Sequence, residues 1–129
     1  MTIKMTTSIN RKFKKCLITG IGGSGASYLA EYIIKNNPKI KVLGIARKNN
    51  VITKKLKNKL LIYKCDLNKF EQLKKIIKKT KPDLIYNFAS NANVRESFDK
   101  PKDIILNNNN SCLNLFESVR IIKNYNPLI

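Results

Sequence analysis

Residues 16–32, CLITGIGGSGASYLAEY, run from an apolar segment through a cluster of glycines into a sequence with helical spacing. A strand, a tight turn and a helix start follow from that order. The glycines can be counted in two ways. Gly20, Gly22 and Gly25 spell G-x-G-x-x-G, whereas Gly20, Gly23 and Ala26, with Thr19 in front, spell the wider T-G-x-x-G-x-x-A. Either way the physical task is the same: backbone angles that side chains resist, close approach of the chain to a pyrophosphate, and a helix N-terminus aimed at its charge. The helix separates the two counts. With Leu29 three residues beyond Ala26, TGIGGSGASYL matches T-G-x-x-G-x-x-[GA]-x-x-L at each fixed position, so the wider register is expected.

The rest of the chain repeats the strand-helix alternation. Strands are expected at 15–19, 40–46, 60–65 and 83–90, the last a near-continuous apolar run suited to burial on both faces. Helices are expected at 25–36, stopped by Asn36-Asn37-Pro38, from Asn68 to Lys81-Pro82, and over 101–123. In the second helix Asn68 reads as N-cap with Glu71 three residues on, and Phe70, Leu73, Ile76 and Ile77 form its apolar stripe. Residues 47–58 are polar and unpatterned, a loop with at most a helical turn. The run of asparagines at 107–110 is a short polar run within the last helix. Such βαβ units imply an α/β, Rossmann-like doubly wound parallel sheet of order 3-2-1-4, truncated after about four strands. Strand four then lacks its next neighbour, which leaves an apolar edge.

At 129 residues the chain is one domain's worth, enough to bury roughly two thirds of its unfolded surface. Its net charge of +18 comes almost entirely from Lys, with Arg only at Arg11, Arg47, Arg95 and Arg120. Lys, Asn and Ile are enriched together, which fits an A/T-rich coding bias. Lys74, Lys75, Lys78 and Lys79 have no interleaved aromatics to stack bases, so a solvated basic surface is expected and nucleic acid is not. Cys16, Cys65 and Cys112 lie far apart in apolar surroundings with no C-x-x-C pair. Buried thiols in a reducing, cytoplasmic setting are expected in place of disulfides or a metal site. With no histidine in the chain, Ser-His and Cys-His nucleophile pairs and imidazole bases are excluded. No apolar run has the roughly 20 residues needed to span a bilayer. The basic opening, residues 1–14, lacks the apolar core of a secretory signal and is expected to be a disordered leader; residues 15–129 form the domain.

Here the chain resembles the extended short-chain dehydrogenase/reductase family, and within it the sugar-nucleotide dehydratases of GDP-mannose 4,6-dehydratase type. ITGIGGSGASYLAEY looks like that group's phosphate turn, GIARKNN like the end of its second strand, and CDLN like its adenine-contacting D-L pair. YNFASNANVRESFDKP resembles its fourth strand and following loop, and NNSCLNLFESVR resembles its N-x-x-G-T-x-N-L-x-E-A-x-R helix. The resemblance implies that Thr19, Gly20, Ile21, Gly22, Gly23, Ser24 and Gly25 form the pyrophosphate turn, that Asp66 and Leu67 flank adenine, and that Phe88, Ala89 and Ser90 run along the nicotinamide ribose. Asp66 alternatively reads as a cap leading the second helix. Asn87 and Asn108 stand between a functional role and a plain polar position. An acidic residue ending strand two suits NAD, whereas an arginine accommodates the 2′-phosphate of NADP. Arg47 stands there, followed by Lys48, with no Asp or Glu between Ile40 and Lys64, so NADP is expected over NAD.

The family's reaction is an internal hydride cycle with loss of water from a nucleotide sugar, its base a Tyr in Y-x-x-x-K. None of Tyr28, Tyr32, Tyr63, Tyr86 and Tyr125 is followed four positions on by Lys. These residues therefore read as the N-terminal, cofactor-binding part of a longer parent that meets the nucleotide sugar and could form homo-oligomers. Alone, they are expected to bind NADP weakly or not at all and to catalyse nothing. A related epimerase or reductase, and a non-catalytic dinucleotide-binding module, are the alternatives. Departures from the family pattern are Ala26 for glycine, Ser111-Cys112 for Gly-Thr, and Lys69 after the D-L pair.

Overall fold

The computed structural model describes residues 12–48, 56 and 58–129. Residues 1–11 of the expected leader, and 49–55 and 57 of the expected loop, lie outside the described residues. In chain order the elements are β1 (Lys15–Thr19), α1 (Ser24–Asn36), β2 (Lys41–Ala46), β3 (Leu61–Lys64), α2 (Phe70–Thr80), β4 (Leu84–Asn87), α3 (Val94–Asp99) and α4 (Pro101–Arg120). The strands form an all-parallel sheet of order β3-β2-β1-β4, as the alternation of elements implies.

The centre of β1, residues 16–18, is apolar without a break because both faces of the sheet are covered there. Cys16 and Ile18 face the α1 side, where they join Ala26, Ala30, Ile33 and Val42. Leu17 faces the other side, with Leu43, Leu73, Ile77, Ile85 and Leu115. Leu56, from the segment read as a polar loop, is also core, 1 % exposed among the α1-side residues.

The N-terminal edge is tied by Asp83. Its Oδ2 accepts the N–H groups of Lys14 and Lys15, each at 2.9 Å, and its own N–H donates to Lys15 O at 2.9 Å. Burial pushes the Asp83 carboxyl up, but these two N–H donors and the charges of Lys15 and Lys14 hold it below its ordinary value.

Four local expectations are corrected. Asn68 does not cap α2: Lys69 is the N-cap, no side chain bonds the cap amides, and the Asn68 amide is drawn away to Asp66 and Asn107. β4 is not buried on both faces, since only Ile85 is buried and Tyr86 and Phe88 remain 36 % and 45 % exposed. The reason is that α1 packs over β1 and β2, leaving the Tyr86 side of β4 uncovered among the described residues. The segment after β4 contains α3, begun by Asn93, whose side chain accepts the Glu96 N–H. Helix α4 stops at Arg120, short of 123, and Asn124 soon takes the left-handed φ of 54° that commonly follows a helix end.

An isolated parallel bridge lies beside β4, at the edge expected to have no neighbour. Leu128 pairs in parallel with Leu84: its N–H donates to Asp83 O at 3.0 Å, and its carbonyl accepts the Ile85 N–H at 2.8 Å. Tyr125 anchors this segment by donating its half-buried hydroxyl to Pro82 O at 2.7 Å, and desolvation there, followed by the charge of Asp83, raises its pKa. Among the described residues no helix is long and apolar enough to cross a membrane.

Candidate functional site

A cleft of about 410 Å³ opens at the C-terminal ends of the strands, where the chain leaves β1 with β2 and β3 to one side and β4 to the other. Open α/β sheets place their ligands at such a crossover reversal, because neighbouring loops diverge there and leave a crevice. Gly20, Gly22 and Gly23 line it between two walls. Ile45 to Lys48 and Cys65 to Asn68 form one wall, Phe88 to Ala92 the other, and Asn107 and Ser111 of α4 close it.

Local bonds build the glycine turn. Gly20 has φ +64°, and a Cβ there would stand 2.9 Å from Ala89 N and from Phe88 C and O, so only glycine fits between β1 and the exit of β4. The Gly23 N–H donates to Gly20 O at 2.9 Å, and Gly23 is the N-cap of α1. The Ser27 hydroxyl donates to Ile21 O at 2.8 Å from inside the helix. Ala26, 1 % exposed, occupies the point where α1 closes on the β1 side of the core. At Gly25 a Cβ would meet only the Phe88 ring at 3.5 Å, an ordinary contact. Gly20 is common to both counts, so the contrast between buried Ala26 and exposed Gly25 is what selects the wider register.

The N-cap of α1 is a glycine, so no N-cap side chain bonds its first turn, and that turn holds no acid. The positive end of the α1 dipole therefore lies beside the cleft-lining Gly22 and Gly23, an arrangement fitted to an anion such as a pyrophosphate.

The residues singled out from the sequence divide by position. Gly20, Gly22, Gly23, Arg47, Lys48, Asp66, Leu67, Phe88, Ala89 and Ser90 line the cleft together. Thr19 and Ile21 are fully buried beneath the turn, while Ser24 and Gly25 are exposed at the start of α1. Thr19 acts as a tie: its Oγ1 donates to Asn87 Oδ1 at 2.6 Å and accepts the Ala89 N–H at 3.1 Å, so Asn87 is held at the strand end by its neighbour. Arg47 and Lys48 are exposed where β2 ends, and they place two cations on the rim.

Asp66 does not serve α2 as its N-cap residue. Its Oδ1 accepts the Asn68 N–H at 2.9 Å and the Asn68 amide at 3.2 Å, which shapes the loop between β3 and α2. The Leu67 carbonyl accepts from Asn114 Nδ2 at 2.8 Å. Beside them, burial and the charge of Asp66 raise the Cys65 thiol against the opposing pull of Lys69, which disfavours a thiolate in the cleft wall.

Asn68, Asn91, Ala92, Asn107 and Ser111 also line the cleft and were not among the expected site residues. The signal available for two of them was spacing, since Asn107 and Ser111 lie one helical turn apart on α4. Asn108 faces the loop after β4, where its Oδ1 accepts the Asn91 N–H at 2.7 Å and its Nδ2 donates to Asn91 O at 3.2 Å. Among the described residues no cluster of three His, Cys, Asp or Glu side chains is placed to hold a metal ion.

Residues 17–128 match the family described as GDP-mannose 4,6 dehydratase. A GDP-mannose 4,6-dehydratase of Yersinia enterocolitica is 30 % identical over 84 % of this chain and 32 % of its own length. One from Dictyostelium discoideum is 32 % identical over 83 % of this chain and 33 % of its own. The chain thus spans about a third of the length of the curated relatives it matches. Among solved structures, the UDP-glucose 4-epimerase of Thermus thermophilus, a complex with NAD, superposes with a TM-score of 0.71 at 20 % identity, over 82 % of this chain and 33 % of that one. That likeness establishes the fold. The family match, which runs from within β1 to the residue paired beside β4, and relatives at 30 % identity or more establish that the chain belongs to the GDP-mannose 4,6 dehydratase family.

Proposed function

We propose that the chain is the dinucleotide-binding portion of a nucleotide-sugar dehydratase of GDP-mannose 4,6 type, with NADP as the dinucleotide. One observation carries the reading: an uncapped glycine turn faces a cleft whose β2 rim bears Arg47 and Lys48, with no carboxylate where β2 ends. In this reading the amide of Gly22 and those of the first turn of α1 meet the pyrophosphate, and Asp66 with the Leu67 backbone flanks adenine. Arg47 pairs with the 2′-phosphate, and Phe88, Ala89 and Ser90 border the nicotinamide ribose. The bound nicotinamide would supply a reversible hydride acceptor. This chain's residues bind and orient it against a nucleotide sugar, GDP-mannose by the names of its relatives. Free cysteines, two of them buried, support a cytoplasmic setting.

Titration of the isotope-labelled chain with NADPH and NADH, followed by amide shifts up to millimolar ligand, tests the proposal at the weak affinity expected of these residues. NADPH is expected to shift the amides of Gly22, Gly23 and Asp66 at lower concentration than NADH. A charge-assisted bond contributes about 1.5 to 3 kcal/mol, so Arg47→Ala should weaken NADPH about ten- to a hundredfold and leave NADH nearly unchanged. An unchanged NADPH-to-NADH ratio in Arg47→Ala overturns the NADP assignment. Shifts scattered away from the turn with both nucleotides overturn the dinucleotide reading itself.

A further inference from the structure

Resting on that reading, we infer that Asn108 is a positioning residue that sets the β4 wall of the cleft, and with it the nicotinamide half of the dinucleotide, independently of the adenine half. The wall leaves β4 under two anchors. At the first, Thr19 Oγ1 accepts the Ala89 N–H, and Gly20 packs against Phe88 and Ala89 with no space for a side chain. At the second, the Asn108 side chain meets both backbone groups of Asn91, accepting at 2.7 Å and donating at 3.2 Å. A two-point contact to one residue's backbone fixes orientation as well as position, which a single bond does not. Ser90 is therefore presented between two fixed points. Beyond it, Asn91 carries the path into α3, its Oδ1 accepting the Asn93 N–H and its Nδ2 donating to Glu96 Oε2, each at 3.2 Å.

The same helix holds the opposite wall through other side chains. Asn107 Oδ1 accepts from Asn68 Nδ2 at 2.7 Å, and Asn114 Nδ2 donates to Leu67 O at 2.8 Å. Helix α4 thus braces both walls, but each wall answers to its own asparagines. Loss of Asn108 releases only the β4 side, and loss of Asn114 releases only the side beside Asp66.

The test pairs NADPH with an adenosine bisphosphate that carries the 2′-phosphate and lacks the nicotinamide half, against wild type, Asn108→Ala and Asn114→Ala. In Asn108→Ala, NADPH affinity should fall about tenfold, the equivalent of two neutral hydrogen bonds, while the bisphosphate changes by less than about twofold. Asn114→Ala should weaken both ligands alike. In the ligand-free chain, Asn108→Ala should speed hydrogen exchange at the Asn91 amide while the amides of β1 keep their protection, which separates a released wall from a failed fold. Equal weakening of both ligands in Asn108→Ala, or unaltered exchange at Asn91, overturns the inference. A wild-type chain in which neither ligand perturbs the cleft instead overturns the dinucleotide reading beneath it.

Discussion

Substituting Ala at Gly25, which only the narrower register uses as its third glycine, tests that register against Gly20, the close-packed glycine common to both. Gly20 sits at φ +64°, where an L side chain costs about 1–2 kcal/mol. The new methyl would also lie 2.9 Å from three backbone atoms of Phe88 and Ala89, none of them the tip of a flexible side chain. Forcing such an overlap costs about 1–3 kcal/mol more, so Gly20→Ala should lose roughly 2–5 kcal/mol. A domain of this size has about 6–19 kcal/mol in total, so the variant remains folded but visibly weakened. Gly25 differs in both respects: its Cβ would find only the Phe88 ring at 3.5 Å, and it lies within α1, where Ala is favoured over Gly by up to about 1 kcal/mol. Gly25→Ala should therefore be neutral or stabilising. Urea unfolding followed by circular dichroism gives both numbers, and with a slope of about 1–3 kcal/mol per molar the Gly20→Ala midpoint should drop by about 1 M or more. If Gly25→Ala costs as much as Gly20→Ala, Gly25 is the close-packing position and the wider register is wrong.

Two further perturbations probe the core around the site. Asp83 has a depressed native pKa, so its contribution to stability is fully present above the unfolded value of about 3.9 and is lost as pH falls through the lower folded value. Asp83→Asn should lower the urea midpoint at neutral pH and flatten its decline in acid; an acid limb of unchanged steepness in the variant refutes that account. Burial pushes the Cys16 thiol up to about 12 and leaves it with no exposed surface, whereas Cys112 is only half-buried. A disulfide reagent at mildly alkaline pH should label Cys112 first and reach Cys16 only at the rate of unfolding; mass mapping of early modification to Cys16 would contradict the packing of β1.

Much of this was legible because it is written locally. The apolar run of β1, the glycine turn and the apolar stripe of α2 each carry their own period, and their alternation implies the parallel sheet that forms. Arg47 is legible as a rim residue because it directly follows β2. What escaped was decided by partners remote in sequence. Asn68 has the composition of an N-cap, yet the helix begins after Lys69 and the Asn68 Nδ2 is held instead by Asp66 and Asn107. Tyr86 and Phe88 look like core, but burial depends on which helices reach β4, and a strand cannot state that. The asparagine run of α4 looks like filler until the fold sets Asn107 against one loop and Asn108 against another. Helix α3 is the exception. Its N-x-x-E start at Asn93 and Glu96 was a local signal, and it was masked by reading the whole segment as the loop after a strand.

The same distinction governs what the charge of +18 means for the site. Exposed Lys75, Lys78 and Lys79 lie along α2, with Lys78 and Lys79 in its last turn, where cations complement the negative end of the helix dipole. Lys74 is engaged locally, paired with Glu71 at 2.6 Å and standing 5.2 Å over the Phe70 ring. None of these lines the cleft. Among the described residues the charged side chains there are Arg47 and Lys48 on the rim and Asp66 on the wall, with one Asp66 oxygen already accepting from Asn68. Any anion therefore gains from the general field of the lysines, and at 0.1 M salt that gain fades over about 10 Å. A phosphate in direct contact with Arg47 keeps most of its gain at the same salt, since no ions intervene. Total affinity for NADPH consequently reports the basic composition, whereas the NADPH-to-NADH ratio, measured as salt rises, isolates the contribution of the β2 rim. A ratio that collapses with salt as fast as the affinities themselves would assign the preference to the surface lysines and remove Arg47 from the site.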